Sequence, residues 1–489
     1  MRATRTSAIG DRFLKTCRDH PEAIAVRTLW DGRARTFSEL QHQYLAARRA
    51  LVASAIGPGS CVVSLVGNRP VFFSLFVACM DVGVALLPLN EATDAEVAGL
   101  VERSGAVAVV AERPLPLASI NEAPLSDGVR VISLRDRSEP RTYGRSVLLK
   151  LTSGSTDLPK AAVAGESQLV SDGCHVIRAM GIGSADVNLA YIPLAHSYAI
   201  GNIVMPLIWQ GTSVALCQMF NPSQFLRDAS ASGATVFPGV PFMFEQIQAS
   251  EDIELLPAKL RLLITAGACI DRNTVLWFRE RLSRKLHSFY GSSETGGISY
   301  DDSEDVSDPL HVGWPMPETT IDIKPVELLN LSGRESGRIF VSGSAVCMGY
   351  ADGDDRARPS VFADGGFLTG DIGHFDGRGA VVLTGRVSPL VNVAGRKVDP
   401  AEVEGVLAGL PDVVEARVLG MSCDKRGQQI VAFVVRSSPA LTPIAIRQLC
   451  AGRLSPYKIP RRFIFLDRLP VDARGKMDRR ALEALASTL

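Results

Sequence analysis

Three features of the sequence predict an α/β fold. Short apolar runs alternate with helical patterns as far as Pro315, short strands with tight turns follow, and a compact mixed α+β tail begins near Ser388. The expectation is a large N-terminal domain, residues 1–386, of mostly parallel sheets with flanking helices plus a small β part, and a small C-terminal domain, residues 387–489. At 489 residues the chain is too long for one ordinary core, which agrees with two domains.

Thr36-Phe37-Ser38-Glu39 reads as a capping box, and Leu40, Tyr44, Ala47 and Leu51 recur behind it at helical spacing. Apolar runs at 61–66, 84–87 and 107–110 read as strands, with a helix opening after Asn68-Arg69-Pro70. The stretch 71–89 has the hydropathy of a membrane segment, but Asp81, Gly83 and Pro88 break it, so a buried helix followed by a buried strand is expected. Residues 113–145 are expected to be loop-rich, with one strand at 129–134. Further strands are expected at 189–193, 214–216, 235–237 and 262–265. Several run into glycine-containing turns, and strand ends of that kind hold ligands in open α/β sheets.

Beyond Pro315, residues 338–342 and 380–383 read as strands, the second preceded by the hairpin turn Asp376-Gly377-Arg378-Gly379. Asp399-Pro400 starts a helix carrying Val403, Val406 and Leu407. Strands at 414–418, 430–435 and 463–466 and a helix at 444–454 complete the tail.

Composition narrows the function classes. Hydrophobic residues make up 46% and charged residues 21%, as in a soluble globular protein. Lys+Arg and Asp+Glu both total 52, so no global field recruits nucleic acid or an anionic membrane. The nine cysteines are scattered without a C-x-x-C pair, which suits reduced thiols in a cytoplasmic enzyme. The first residues carry charge but no apolar core of a signal peptide.

The chemistry centres on Leu151-Thr152-Ser153-Gly154-Ser155-Thr156-Asp157-Leu158-Pro159-Lys160. Small residues let backbone N–H groups converge on an anion, the hydroxyls add donors, and Lys160 supplies a charge suited to a polyphosphate. The stretch is not the common P-loop, which ends in Gly-Lys-Ser/Thr. By itself it reads equally well as a solvated Ser/Thr turn.

Its company decides. Residues 151–160, then Tyr290-Gly291-Ser292-Ser293-Glu294-Thr295, then Leu368-Thr369-Gly370-Asp371, then Gly385-Arg386, then Gly475-Lys476-Met477-Asp478-Arg479 occur in an order that resembles the adenylate-forming superfamily. That superfamily includes acyl- and aryl-CoA synthetases, carrier-loading adenylation domains and beetle luciferases. The resemblance covers nearly the whole chain, Pro193 to His196 and Gly349-Tyr350 included. It implies a barrel-like form for the small β part and mobility for the C-terminal domain. Thr152, Ser153, Gly154, Ser155 and Thr156 with Lys160 would cover the β- and γ-phosphates of ATP, and Glu294 would bind Mg²⁺. Tyr290 and the Gly267-Ala268 turn would line the adenine slot, and Gly291 and Ser293 would be among the cofactor-binding residues. Asp371 would accept from the ribose hydroxyls beside Arg386, and Lys476 would bridge the attacking carboxylate and the α-phosphate. Ser388 would be the pivot, and Gly395 would border the thiol tunnel.

Three positions depart from the family pattern, one of them Ala161, where glycine is frequent. Asp157 stands where glycine is usual, and Ser388, followed by Pro389, stands where Asp or Lys is usual.

The resemblance places His196 at the mouth of the acid pocket, although a satisfied core histidine is an equal reading. Residues 196–201 hold no acid that could take a substrate amine, which argues against an α-amino acid. Tyr198, Phe237, Val240, Phe242 and Cys269 would form an apolar, partly aromatic wall for an aryl or aliphatic carboxylic acid. Pro456-Tyr457-Lys458-Ile459-Pro460 resembles the CoA-ligase form of that segment, and Arg396 and Lys397 suit CoA phosphates, a carrier protein or a solvated helix-start surface equally. CoA is therefore the expected acceptor; a discrete carrier protein or a free amine is the alternative. A non-catalytic nucleotide or acyl-adenylate binder is the reading from another class.

Overall fold

The structure, a computed structural model, describes residues 7–134, 141–145, 147–152, 160–250, 256–303, 310–325, 336–351, 361–386, 391–398, 400–423, 427–470 and 479–488. Ser153, Gly154, Ser155, Thr156, Ser388 and Lys476 lie outside the described residues. The chain divides into two compact units. One comprises Met1–Asn90, Leu100–Leu151 and Ala161–Val387; the other comprises Glu91–Gly99, Thr152–Lys160 and Ser388–Leu489.

Among the described residues, the first unit holds three sheets. A nine-stranded sheet runs in the order Trp314–Pro315, Gly296–Tyr300, Leu286–Ser292, Leu262–Ala266, Val236–Gly239, Val187–Ala190, Ser213–Leu216, Ile24–Thr28, Ala34–Thr36. Its central pairs are parallel. A seven-stranded sheet runs Ser119–Pro124, Arg130–Leu134, Ala108–Ala111, Cys61–Leu65, Ala85–Pro88, Val147–Thr152, Lys160–Gly165. Strands such as Ala-Val-Val-Ala and Leu-Leu-Ile-Thr-Ala are buried at every residue, because helices cover both faces of a parallel sheet. The third sheet is antiparallel and five-stranded, with Thr319–Lys324, Gly337–Gly343, Gly366–Phe375 and Phe362–Ala363 in order and Val381–Arg386 paired to Gly366–Phe375.

The apolar stretch resolves as expected into the helix Val71–Val82 and the strand Ala85–Pro88, with Gly83 at φ 84° ending the helix. Asp81 interrupts the run because it is a buried tie: its carboxylate accepts from Tyr44 Oη at 3.0 Å and pairs with Arg48 Nε at 2.7 Å. Among the described residues, no helix is long and apolar enough to cross a membrane. The capping box forms as read, with Thr36 accepting from Glu39 N and the Glu39 side chain from Thr36 N. Several strands escape the sequence reading, among them Ile24–Thr28, Leu286–Ser292, Gly296–Tyr300 and one edge strand. Ser119–Pro124 pairs antiparallel with Arg130–Leu134 at the sheet edge. Its residues Ser-Ile-Asn-Glu-Ala-Pro are mostly exposed, so no apolar alternation marks it.

The second unit has its own core around Val391, Val398, Val403, Leu407, Val418 and Ile446. Val391–Val393, Gly427–Arg436 and Val413–Cys423 pair antiparallel, and Arg462–Leu466 joins Gly427–Arg436 in parallel. Lys458 is held between two carboxylates of this unit, Glu402 at 2.7 Å and Glu96 at 3.2 Å. With so little solvent to compete, such a paired cation rigidifies the segment, and the carboxylates hold its ammonium protonated.

Candidate active site

In the first unit the motif residues meet through two phenol–carboxylate pairs. The strand Leu286–Ser292 turns at residues 293–295 into Gly296–Tyr300, so Tyr290 points from the strand and Ser293 and Glu294 stand on the turn. Tyr290 Oη donates to Asp371 Oδ2 at 2.7 Å, and Tyr350 Oη donates to Glu294 Oε1 at 2.8 Å. Each pair joins residues far apart in sequence and fixes a carboxylate without neutralising it, which a metal-binding or ribose-binding carboxylate requires.

Asp371 lies on Gly366–Phe375, and Thr369 orients its backbone by accepting from Asp371 N at 3.1 Å. Arg386 is its partner in backbone register across the antiparallel pair. The Ser293 hydroxyl accepts from Ser197 Oγ at 3.1 Å, while the Ser293 carbonyl accepts from Cys347 Sγ at 3.3 Å. Cys347 N donates to Glu294 O at 2.8 Å. The turn is therefore clamped on both sides of Glu294.

Beneath it sits a carboxylate that the sequence did not reveal. Asp172, 4% exposed on the helix Glu166–Met180, accepts from Gly297 N at 2.9 Å. Gly296 has φ 70°, and a Cβ there would stand 2.4 Å from Asp172 Oδ1, so only glycine admits this approach. Nothing in Ser-Asp-Gly-Cys distinguishes Asp172 from a surface acid, because its partner is 125 residues away. Gly291 likewise has no room for a side chain, with Gly296 O 2.6 Å from where its Cβ would be.

Gly267 has φ 90° and, like Ala268 and Cys269, is exposed just beyond the strand Leu262–Ala266. A backbone turn without bulk at the end of a parallel strand suits the close approach of a flat base.

On the acid side, His196 is exposed at the residue before a short helix, and its carbonyl accepts from Ile200 N at 3.0 Å. The helix that follows widens into a π-helical turn at Ile200–Val204 before Met205–Gln210. Pro206 cannot donate to the carbonyl of Asn202, and Asn188 Nδ2 donates to it instead at 3.1 Å. Helix irregularities of this kind are frequent at functional sites. Tyr198 packs on Phe289, ring centroids 5.8 Å apart, and its hydroxyl donates to Ile264 O at 3.2 Å. Burial pushes that phenol well above its usual pKa, so it remains a donor. Val240 and Phe242 are half-buried. Phe237 does not line a wall: it is 0% exposed and packs on Tyr191, Phe225 and Phe244. Its strand is buried at every residue, so its ring packs into the core rather than joining the expected wall.

In the second unit Thr152 Oγ1 donates to Lys160 O at 3.3 Å, which ties the two ends of the phosphate-loop motif. Gly395 has φ 85°, and its N–H donates to Asn392 Oδ1 at 2.9 Å. Arg396 is not left for a CoA phosphate. It pairs with Glu91 at 2.9 Å and stacks over Tyr457, 4.7 Å from the ring centroid.

The residues present fit a divalent cation. Among the described residues, no cluster of three or more His, Cys, Asp or Glu could hold a metal ion alone. Glu294 keeps Oε2 without a donor among them, Oε1 being held by Tyr350. One carboxylate with the remaining ligands from phosphates and water is how Mg²⁺ binds nucleotides.

Comparison with known families decides what these pairs belong to. The AMP-binding enzyme family matches residues 13–351, and the AMP-binding enzyme C-terminal domain matches residues 402–476. The chain belongs to the AMP-binding enzymes. The adenylate-forming resemblance is thereby borne out. Relatives of this AMP-binding enzyme include a feruloyl-CoA synthase of Amycolatopsis sp, 27% identical over 97% of this chain and 98% of the relative. A 2-succinylbenzoate–CoA ligase of Bacillus licheniformis is 29% identical over 91% of this chain and 94% of the relative. Among solved structures, the amide bond synthetase McbA from Marinactinospora thermotolerans superposes with a TM-score of 0.84 at 24% identity, covering 98% of this chain and 99% of that one. The o-succinylbenzoate CoA synthetase (MenE) double mutant from Bacillus subtilis gives 0.81 at 24% identity, covering 97% and 98%. At these identities the structures bear out the fold: mixed α/β, with a large N-terminal and a small C-terminal domain.

Proposed function

We propose that this AMP-binding enzyme activates an apolar aryl or aliphatic carboxylic acid with ATP and passes the acyl group to the thiol of CoA. The observation that carries the reading is the pair of carboxylates, Asp371 and Glu294, each fixed by a tyrosine from another motif. In this account Asp371 accepts from the ribose hydroxyls, Tyr290 and the turn at Gly267 and Ala268 enclose the adenine, and residues 152–156 with Lys160 hold the phosphates. Glu294 would hold Mg²⁺, which would supply charge neutralisation on the phosphate oxygens. His196 and Tyr198, with Val240, Phe242 and Cys269, border the acid.

The step balances simply. A carboxylate oxygen attacks the α-phosphorus, the bond to the bridging oxygen breaks, and pyrophosphate leaves. The thiolate then attacks the acyl carbon, and AMP leaves. Both partners of the first step are anions, so the protein's work is positioning and charge compensation rather than covalent chemistry. Lys476 provides that compensation on a C-terminal domain that swings at Ser388, and Gly395 then leaves the thiol room to enter.

One observation favours a second acceptor. Arg396, a residue suited to CoA phosphates, is engaged by Glu91 and Tyr457. An amine acceptor needs no such cation, and the reaction then ends in an amide.

Acid-dependent ATP–pyrophosphate exchange over a panel of aryl and aliphatic acids, followed by CoA, a pantetheinylated carrier protein or simple amines with mass analysis of products, tests the proposal. The expected product is a CoA thioester. An amide with CoA untouched would transfer the proposal to the second acceptor, and no exchange with any acid would remove the enzymatic reading.

A further inference from the structure

Lys150 is a cation in a place built for an apolar residue. Val147, Leu148, Leu149 and Lys150 are all buried on their strand, and Lys150 is 3% exposed. Among the described residues, no carboxylate pairs with its ammonium and no acceptor takes its hydrogen bond. A buried charge without a partner is costly, and the cost is recovered when an anion arrives.

Its position follows from the sheet. Val147–Thr152 and Lys160–Gly165 are neighbouring strands joined by the seven residues 153–159, a connection short enough only for an antiparallel hairpin. The hydrogen bond from Thr152 Oγ1 to Lys160 O sets the register at the hairpin mouth. Two residues further along, Lys150 therefore stands opposite Ala162. Ala162 is in turn bridged antiparallel to Tyr350. Cross-strand partners share a face of a sheet, so Lys150, Ala162 and Tyr350 form one row. Ala162 contributes only a methyl to that row. Tyr350 is the tyrosine that holds Glu294 at 2.8 Å. The thiol of Cys347, pushed up to about 11 chiefly by burial, feels Lys150, Glu294 and Asp172 together, which agrees with an ammonium beneath the Glu294 turn.

We propose that Lys150 is a second cationic residue of the nucleotide site, reaching toward Glu294 and Tyr350 to bind the pyrophosphate end of a nucleoside triphosphate. This rests on the reading of the site as one for ATP. Lys150 thus discriminates triphosphate and free pyrophosphate from AMP, which carries only the α-phosphate.

Calorimetric titration of the full chain with ATP, inorganic pyrophosphate and AMP tests it, comparing wild type with Lys150→Met and Lys150→Arg and monitoring thermal midpoints. Lys150→Met is expected to weaken ATP and pyrophosphate binding by about tenfold or more while AMP changes by less than about twofold, the pattern of a lost charge-assisted contact. Lys150→Arg should recover most of the difference. Equal weakening for ATP and AMP, or none, overturns the proposal and leaves Lys150 a packing residue. Should Lys150→Met not fold, NMR of wild type carrying ¹⁵N-labelled lysine decides: pyrophosphate must shift the Lys150 side-chain signal and AMP must not. A wild type that binds neither ATP nor pyrophosphate removes the ATP reading itself, an outcome distinct from failure of Lys150 alone.

Discussion

Lys476→Ala is expected to lower acid-dependent ATP–pyrophosphate exchange by about a thousandfold, while transfer from supplied acyl-AMP to the thiol stays within a few-fold of wild type. The magnitude follows from one ammonium ~4 Å from the developing charge, worth on the order of 4 kcal/mol at an effective dielectric of 20. The asymmetry matters more than the size. The first step brings two anions together at the α-phosphate and needs the cation there; the second brings a thiolate to a carbonyl and does not. Measuring the two half-reactions separately checks this. Equal losses in both would show Lys476 acting on folding or general binding rather than on adenylation.

Glu294→Ala is expected to raise the Mg²⁺ concentration for half-maximal exchange by at least about tenfold and to lower the saturated rate by about a hundredfold, because the one protein carboxylate proposed to meet the cation is gone. Tyr350→Phe is the graded comparison. It removes the hydrogen bond at 2.8 Å but leaves the carboxylate, so the loss should be several-fold, the size of one charge-assisted hydrogen bond partly replaced by water. An unchanged Mg²⁺ dependence in Glu294→Ala would take that residue out of the metal role. A Tyr350→Phe loss as large as that of Glu294→Ala would mean that the turn collapses without its clamp.

Much of the fold was legible because its signals are local. The capping box at Thr36, the buried helix after Asn68-Arg69-Pro70 and the apolar strands of the parallel sheets each announce themselves within a few residues. The edge strand Ser119–Pro124 was not legible, since it buries little and is held by its neighbour's backbone. The site divides the same way. Tyr290, Glu294 and Asp371 stand out through the motifs around them, whereas what holds them depends on distant partners. Tyr350, Asp172 and Ser197 reach the 290–297 hairpin from 56, 125 and 96 residues away. Phe237 misled for the opposite reason. A strand buried on both faces offers no alternation from which to tell pocket from core.

The central claim, that a carboxylate attacks the α-phosphorus of ATP in this site, is tested most directly with an accepted acid carrying ¹⁸O in both carboxylate oxygens. The account predicts that one ¹⁸O appears in AMP after acyl transfer, because the oxygen that bonds to phosphorus remains there when the acyl carbon departs. Label in inorganic phosphate accompanied by ADP, or AMP formed without label, would contradict it.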